Sequence, residues 1–146
     1  MLFRSEAGII QNGARGRAFE GTIIERFGLP AKNTETMLGE LSSGSLEPTI
    51  PDLAAGGTAP LGDIKDILKA ARTRQMEAQL SVGRMTDVPH KLILSPRIQS
   101  VSRPLAAAVQ DSGGFIFRAD PVTFTVEAYD ASTRTWVPFL GGSWGF

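Results

Sequence analysis

Residues 122 to 140 limit the fold strongly because they contain two strand-like segments separated by a short turn. Apolar and polar side chains alternate through the first segment, VTFTVEAY, at residues 122 to 129. Strict alternation is typical of half-buried strands. Asp130 to Thr133 would form the turn and Arg134 to Leu140 the returning strand, so the sequence predicts an antiparallel hairpin, with Phe115 to Arg118 as a third strand.

The longest helix is predicted from Asp63 to about Leu80. Asp63 is a candidate N-cap, because its carboxylate can accept hydrogen bonds from free backbone N–H groups. Apolar residues follow at helical spacing: Ile64, Ile67, Leu68 and Ala71. Gly83 is the expected end of this element. The pattern predicts that these apolar residues are buried and that Lys65, Lys69 and Arg72 are exposed or face a partner.

Shorter elements complete the predicted fold. Lys91 to Leu94 reads as a strand, and Pro104 suits the first turn of a short helix that ends before Gly113. Nearer the N-terminus, Asn12–Gly13 indicates a hairpin turn. Within residues 18 to 27 the spacing of Phe19, Ile23 and Phe27 fits a helix face or a strand face equally, and the neighbouring Gly21, Thr22, Ile23 and Ile24 favour a strand. Because strands follow one another as hairpins, we expect an α+β fold: a small, mainly antiparallel sheet with one longer and one short helix.

Residues 41 to 60 show no sustained periodicity and contain Pro48, Pro51, Pro60 and the pair Gly56–Gly57. Such a segment inside a compact chain is usually a binding segment or a linker. Its scattered apolar residues Leu46, Ile50 and Leu53 favour an extended arm that contacts a partner. The 146 residues suit a single domain, and this arm is expected to extend from it.

Composition excludes several kinds of chemistry. The chain has no cysteine, which rules out disulfides, thiolate metal sites and a cysteine nucleophile. The single histidine, His90, reads as a partly exposed residue at the start of a strand rather than a catalytic base. No metal-binding motif occurs, and no pair of carboxylates stands out from ordinary surface acids. The sequence therefore predicts no cofactor, no metal and no enzymatic activity.

The positions of the basic residues indicate a second candidate function. Arg15 and Arg17 alternate with glycines in the segment GARGR and form a candidate anion site. Lys65, Lys69 and Arg72 fall on one face of the predicted helix. The 15 basic and 15 acidic residues cancel overall, although residues 35 to 66 carry −5 and residues 67 to 118 carry +5. A binding module for an anionic ligand or nucleic acid is therefore the alternative function.

The C-terminal segment is rich in aromatic residues. Trp136 is expected to pack inside the domain, whereas Trp144 and Phe146 follow Gly141–Gly142 and are candidates for anchoring the tail, residues 141 to 146, on a neighbouring subunit. No secretion signal or apolar run of membrane-spanning length is evident.

This layout, a small mixed domain with a Pro/Gly-rich arm at residues 41 to 60 and the aromatic end GGSWGF, resembles small structural subunits of tailed-phage virions. The resemblance implies a neck, tail or baseplate component. It also implies a location in the virion, or in the host cytoplasm during assembly. The implied partners are other structural proteins and copies of the same chain. The main expectation is therefore a non-enzymatic assembly subunit.

Overall fold

The computed structural model describes residues 2 to 54 and 61 to 139, with side chains described from residue 14 onward. These residues form an α+β fold that contains three helices and nine short strands. The helices are α1 (Leu2–Arg26), α2 (Arg74–Thr86) and α3 (Arg103–Asp111). The strands are β1 (Met37–Glu40), β2 (Leu46–Thr49), β3 (Leu61–Lys65), β4 (Lys69–Ala70), β5 (His90–Leu94), β6 (Ser100–Val101), β7 (Phe115–Asp120), β8 (Thr125–Asp130) and β9 (Thr135–Pro138).

A five-stranded sheet in the order β3-β5-β7-β8-β9 forms the centre of the fold. Strands β3, β5 and β7 run parallel, whereas β7, β8 and β9 are antiparallel neighbours. The sheet is thus mixed: β7, β8 and β9 form the expected antiparallel part, and β3, β5 and β7 add a parallel part. Two small sheets, β1-β2 and β4-β6, lie outside it.

Helices cover both faces of the central sheet. Alternate residues of β5 divide between two apolar clusters, with Leu92 and Leu94 in one and Ile93 in the other. The first cluster is completed by α2 and α3 through Leu80 and Leu105. The second is completed by α1 through Ile23. Alternation across a strand therefore explains why β5 is buried on both faces.

The N-terminal region is a helix, so the predicted turn at Asn12–Gly13 and the strand within residues 18 to 27 are wrong. Phe19, Ile23 and Phe27 recur every four residues and pack on one cluster, with Ile23 fully buried. This spacing fits one helical face. Packing of that face on the sheet outweighs the local β propensity of Ile23 and Ile24.

The predicted helix from Asp63 also begins in the wrong place. Residues 61 to 65 form the buried strand β3, and α2 starts at Arg74. Thr73 is the real N-cap, since its side chain accepts a hydrogen bond from the Met76 amide at 3.1 Å. The helix then runs through Gly83 to Thr86 and ends at Asp87 in a left-handed conformation.

Because α2 starts later than predicted, the burial of the residues before it differs in part from the prediction. Ile64 is buried, as expected, but Leu68 is 41% exposed and Ala71 is exposed as well. Lys69 and Arg72 are exposed, in agreement with the prediction, whereas Lys65 is only partly exposed. Lys69 and Arg72 are thus exposed as predicted, but for a different reason, because none of the residues named here lies on a helix.

Several other expectations are confirmed with shifted limits. The strand near Lys91, the short helix with Pro104 in its first turn and the strand from Phe115 are present as β5, α3 and β7. The final hairpin is β8-β9, but residues 122 to 124 form a turn rather than strand. Asp120 explains that turn because its carboxylate accepts a hydrogen bond from the Val122 amide at 2.8 Å.

The segment predicted as an arm, residues 41 to 60, contains a strand and a bridge to the central sheet. Leu46–Thr49 forms β2 and pairs with β1, and Leu53 forms a bridge with Gly62 of β3. Residues 55 to 60 lie outside the described part, as do Leu140 and the tail, residues 141 to 146, with Trp144 and Phe146. Trp136 is partly buried and makes an edge contact with Tyr129, with ring centroids 5.1 Å apart.

Candidate functional site

A polar cleft of about 630 Å³ opens where α1 faces strand β3 and the segments that follow β3 and β5. Four acidic and four basic side chains are among its lining residues: Glu20, Asp52, Asp63, Asp66, Arg17, Lys65, Lys69 and Arg97. The carboxyl ends of β3 and β5 meet here because these strands are parallel neighbours. In open sheets with parallel strands, ligands commonly bind at this edge.

Asp63 and Lys65 are two residues apart on β3 and therefore project to the same side of the strand. The Lys65 ammonium lies 3.1 Å from Asp63 Oδ2. The Asp63 side chain is 3% exposed, so this carboxylate is placed close to the protein interior and needs partners there. Lys65 supplies one of them while its own side chain remains partly exposed in the cleft.

Asp52 is linked to β3 by reciprocal hydrogen bonds. Its amide donates to Asp63 Oδ1 at 3.1 Å, and its Oδ2 accepts from the Ile64 amide at 2.8 Å. The bridge between Leu53 and Gly62 fixes the next residue of the same segment. Two carboxylates that are eleven residues apart in sequence are thereby held side by side.

The charge of Asp52 is poorly stabilised in this position. Burial raises the pKa of Asp52 to about 7, and the nearby negative charges of Asp63 and Glu20 act in the same direction. The hydrogen bond from the Ile64 amide opposes this effect. A raised carboxyl pKa in a cleft, with specific charged neighbours, is a feature found at functional sites.

Glu20 of α1 joins the same group of carboxylates through Lys32. The Lys32 ammonium lies 2.8 Å from Glu20 Oε2 and 3.7 Å from Asp52 Oδ1. The side-chain hydrogen bond to Glu20 is the main cause of a raised pKa of Lys32. A cationic group thus already lies against the oxygens of two cleft carboxylates.

The basic residues predicted to bind an anionic ligand do not all lie in one place in the structure. Arg17, Lys65 and Lys69 line the cleft. Arg15 is exposed on α1 outside the cleft lining, and Arg72 lies 3.7 Å from Glu77 in a different depression. The GARGR segment is helical, so a backbone anion turn of the kind predicted does not form there.

The residues predicted to contact partners also differ from one another. Leu46 and Ile50 are 63% and 47% exposed, whereas Leu53 is 1% exposed and belongs to an apolar cluster. Leu53 is therefore a core residue and cannot serve as a contact in this fold. His90 is fully buried rather than partly exposed, and its Nε2 lies 2.8 Å from Gln79 Oε1.

Sequence reasoning missed the acidic residues Glu20, Asp52 and Asp63 as a group. One signal was present: Asp63 and Lys65 alternate with Ile64, as they would on a strand with one polar and one apolar face. The interpretation of Asp63 as a helix cap concealed it. The proximity of Asp52 and Glu20 depends on tertiary structure and has no local signal.

No family model matches the sequence, and the comparisons with curated proteins and with solved structures found no significant match. Within residues 2 to 54 and 61 to 139, no helix is long and apolar enough to cross a membrane. In the same part of the chain, no three side chains of the His, Cys, Asp or Glu type are grouped closely enough to hold a metal ion by themselves.

Proposed function

We propose that the protein is a divalent-metal-dependent phosphodiesterase acting on nucleic acid, with Asp52, Asp63 and Lys65 at the reacting centre. The observation that carries the proposal is the placement of these three residues, two carboxylates and one ammonium, in a single cleft. Carboxylates suit a hard cation, whereas Lys and Arg suit the phosphate that the cation would share.

The donor set fits Mg²⁺ in particular. The anionic side chains that line the cleft are all carboxylates, and Mg²⁺ is commonly held by one or two carboxylates with water and substrate phosphate completing its shell. Three protein carboxylates are therefore not required. The contacts of Lys32 with Glu20 and Asp52 support a cation-binding character for these oxygens.

The proposed reaction is hydrolysis of a phosphodiester bond. The oxygen of water forms a new bond to phosphorus, the ester P–O bond breaks, and the departing oxygen receives a proton. Bound Mg²⁺ would stabilise the negative charge that develops on the phosphoryl oxygens. Asp52 and Asp63 would hold the ion, and Lys65 would place a fixed positive charge beside the same phosphoryl group.

Nucleic acid is the preferred substrate because basic residues continue beyond the reacting centre. Arg17 lies on α1, Lys69 on β4 and Arg97 after β5, and all three line the cleft. Positive groups spread over several elements match a polymer with one negative charge per phosphate better than they match a small monoester.

A cleavage assay would test this function. Labelled single- and double-stranded DNA and RNA would be incubated with the purified protein and Mg²⁺ or Mn²⁺, and in parallel with EDTA. We expect metal-dependent cleavage that falls by at least about 100-fold in Asp63→Asn and in Lys65→Met. Asp111→Asn, an equivalent change at an exposed residue outside the cleft lining, should retain activity.

Two results would overturn the proposal. One is the absence of cleavage with every substrate and both metals by a folded protein. The other is cleavage that persists undiminished in Asp63→Asn, which would assign the activity to a contaminant or to a different site.

The assembly-subunit hypothesis is the second proposal, and exposed apolar side chains of the β1-β2 region support it. Leu38, Leu46 and Ile50 are 47% to 63% exposed, and a partner could cover them. As a structural subunit of a phage tail, neck or baseplate, the chain would associate with copies of itself or with other virion proteins. Its mass in solution, measured over a wide concentration range, tests self-association, and Leu46→Ser should weaken it.

A further inference from the structure

Asp66 and Arg97 lie together beside the proposed reacting centre, although 31 residues separate them. Asp66 directly follows β3, and Arg97 comes shortly after the end of β5. The amide of Ser95 donates to the Lys65 carbonyl at 3.1 Å and so extends the pairing of the two strands. The parallel arrangement therefore brings both residues to the same edge of the sheet.

Asp66 holds the Arg97 guanidinium at two points. Arg97 Nε donates to Asp66 Oδ1, and Arg97 Nη2 donates to the Asp66 backbone oxygen at 3.1 Å. The hydroxyl of buried Ser95 also donates to Asp66 Oδ1, at 2.7 Å. Two hydrogen bonds to a planar group fix both its position and its orientation.

The contacts give the two residues different accessibility. The Asp66 side chain is 7% exposed, whereas that of Arg97 is 34% exposed and lines the cleft. A guanidinium has five N–H donors. The two contacts with Asp66 use two of them, and the other three have no hydrogen-bond partner among the residues that the structure describes. Arg97 is therefore oriented by Asp66 and keeps donor capacity for a ligand.

We infer that Arg97 binds a phosphate of the substrate, and that Asp66 is a positioning residue that acts through Arg97. This inference rests on the proposed function, since it places the bound phosphate in the cleft of Asp63 and Lys65. It also divides the acidic residues by role. Asp66 Oδ1 accepts hydrogen bonds from Ser95 and Arg97 and so orients Arg97, whereas Asp52 and Asp63 lie beside Lys65 and are the proposed metal ligands.

A planar guanidinium is suited to phosphate because its N–H groups can contact two phosphate oxygens at once. Lysine would supply the charge without this geometry. The structure thus predicts that charge alone is insufficient at position 97, which separates a specific phosphate contact from general electrostatic attraction.

The experiment measures binding separately from cleavage. Binding of a short fluorescein-labelled single-stranded DNA would be followed by anisotropy in EDTA, where the metal-dependent reaction is blocked. We expect Arg97→Ala to weaken binding roughly ten- to hundredfold, the range for a hydrogen bond to a charged group. Arg97→Lys should recover only part of this loss.

The positioning role of Asp66 predicts non-additivity. Asp66→Ala should weaken DNA binding less than Arg97→Ala does, and the double variant should bind no more weakly than Arg97→Ala alone. In cleavage assays, both single variants should raise KM. Removal of a different ion pair, Arg74 with Glu47 at 3.1 Å, is the matched control, because neither residue lines the cleft.

The outcomes separate this inference from the proposed function. Unchanged DNA binding and KM in folded Arg97→Ala would overturn the role of Arg97, even if the wild-type protein cleaves DNA. Additive effects of Asp66→Ala and Arg97→Ala would overturn the positioning role. Loss of binding in Arg97→Ala, with no cleavage by the wild-type protein, would support phosphate binding and overturn the phosphodiesterase proposal.

Discussion

The imidazole of His90 and the side-chain amide of Gln79 form a hydrogen-bonded pair that is sealed from solvent, with 2.8 Å between His90 Nε2 and Gln79 Oε1. Gln79 also donates through Nε2 to Thr49 Oγ1 at 3.1 Å. In this orientation Gln79 turns its oxygen, which can only accept, toward His90, and the neutral tautomer with hydrogen on Nε2 satisfies the contact. The chain of contacts ties strand β5 to helix α2 and to the β1-β2 hairpin.

His90 should make stability depend on pH. Burial lowers the pKa of His90 to about 4; Lys65 and Lys91 act in the same direction and Asp63 opposes them. The unfolded chain, with the ordinary histidine pKa of 6.5, therefore binds more protons than the folded chain between pH 4 and 6.5. Stability from neutral His90 is complete above pH 6.5 and falls by on the order of 3 kcal/mol as the pH drops to 4.

Urea unfolding of the wild type and His90→Gln at several pH values would measure this contribution. The difference between the two proteins is informative because Asp52 titrates in both, with the opposite sign, since its pKa is raised to about 7. We expect the free-energy difference to change mainly between pH 4 and 6.5. A constant difference across this interval would contradict the neutral, buried state of His90.

The packing of the hairpin on α2 leads to a second prediction, at Gly39. A Cβ atom at this position would collide with the backbone of Ala78, which cannot move aside easily within a buried helix. Gly39→Ala should therefore destabilise the protein by about 1 to 3 kcal/mol. Gly21→Ala is the control, because a Cβ there meets open space on α1 and should stabilise the helix by up to about 1 kcal/mol. Equal effects of both changes on the denaturation midpoint would contradict the close approach.

The parts of the fold that sequence predicted well are those with strong local patterns. The alternation in residues 125 to 130 and the turn after Asp130 correspond to β8 and its hairpin. Pro104 lies in the first turn of α3, as predicted, and the structure adds Ser102 as the N-cap, which accepts a hydrogen bond from the Leu105 amide. In these segments local preference and tertiary packing agree.

The predictions were wrong where the spacing of apolar residues fitted both a helix and a strand. The spacing of Phe19, Ile23 and Phe27 fits a helix or a strand face, and only packing on the sheet decides between them. Asp63 is an acceptable helix cap in isolation, yet its carboxylate is buried and bonded to the Asp52 amide. The candidate site escaped prediction for the same reason, since Glu20 and Asp52 approach β3 only after folding.

The corrected position of α2 predicts a clear contrast between two leucines. Leu80 is 1% exposed and belongs to an apolar cluster, whereas Leu68 is 41% exposed between β3 and β4. Leu80→Ala should cost about 2 to 5 kcal/mol, and Leu68→Ala about 1 kcal/mol or less. Chemical denaturation of both variants measures the difference. An equal loss of unfolding free energy in Leu68→Ala and Leu80→Ala would instead support the sequence-based prediction that Leu68 lies on a buried helix face.

Metal binding to the cleft carboxylates predicts a stabilisation that does not require knowledge of the substrate. An ion that binds only the folded protein raises its stability by RT ln(1 + [ion]/Kd), about 2.7 kcal/mol at a concentration of 100 Kd. Removal of this ion with EDTA should lower Tm, and excess Mg²⁺ should restore it. Asp63→Asn should abolish the response, while Asp111→Asn, whose residue is exposed outside the cleft lining, should preserve it. An equal Mg²⁺ effect in the wild type and Asp63→Asn would locate the ion elsewhere and remove Asp63 from the proposed metal site.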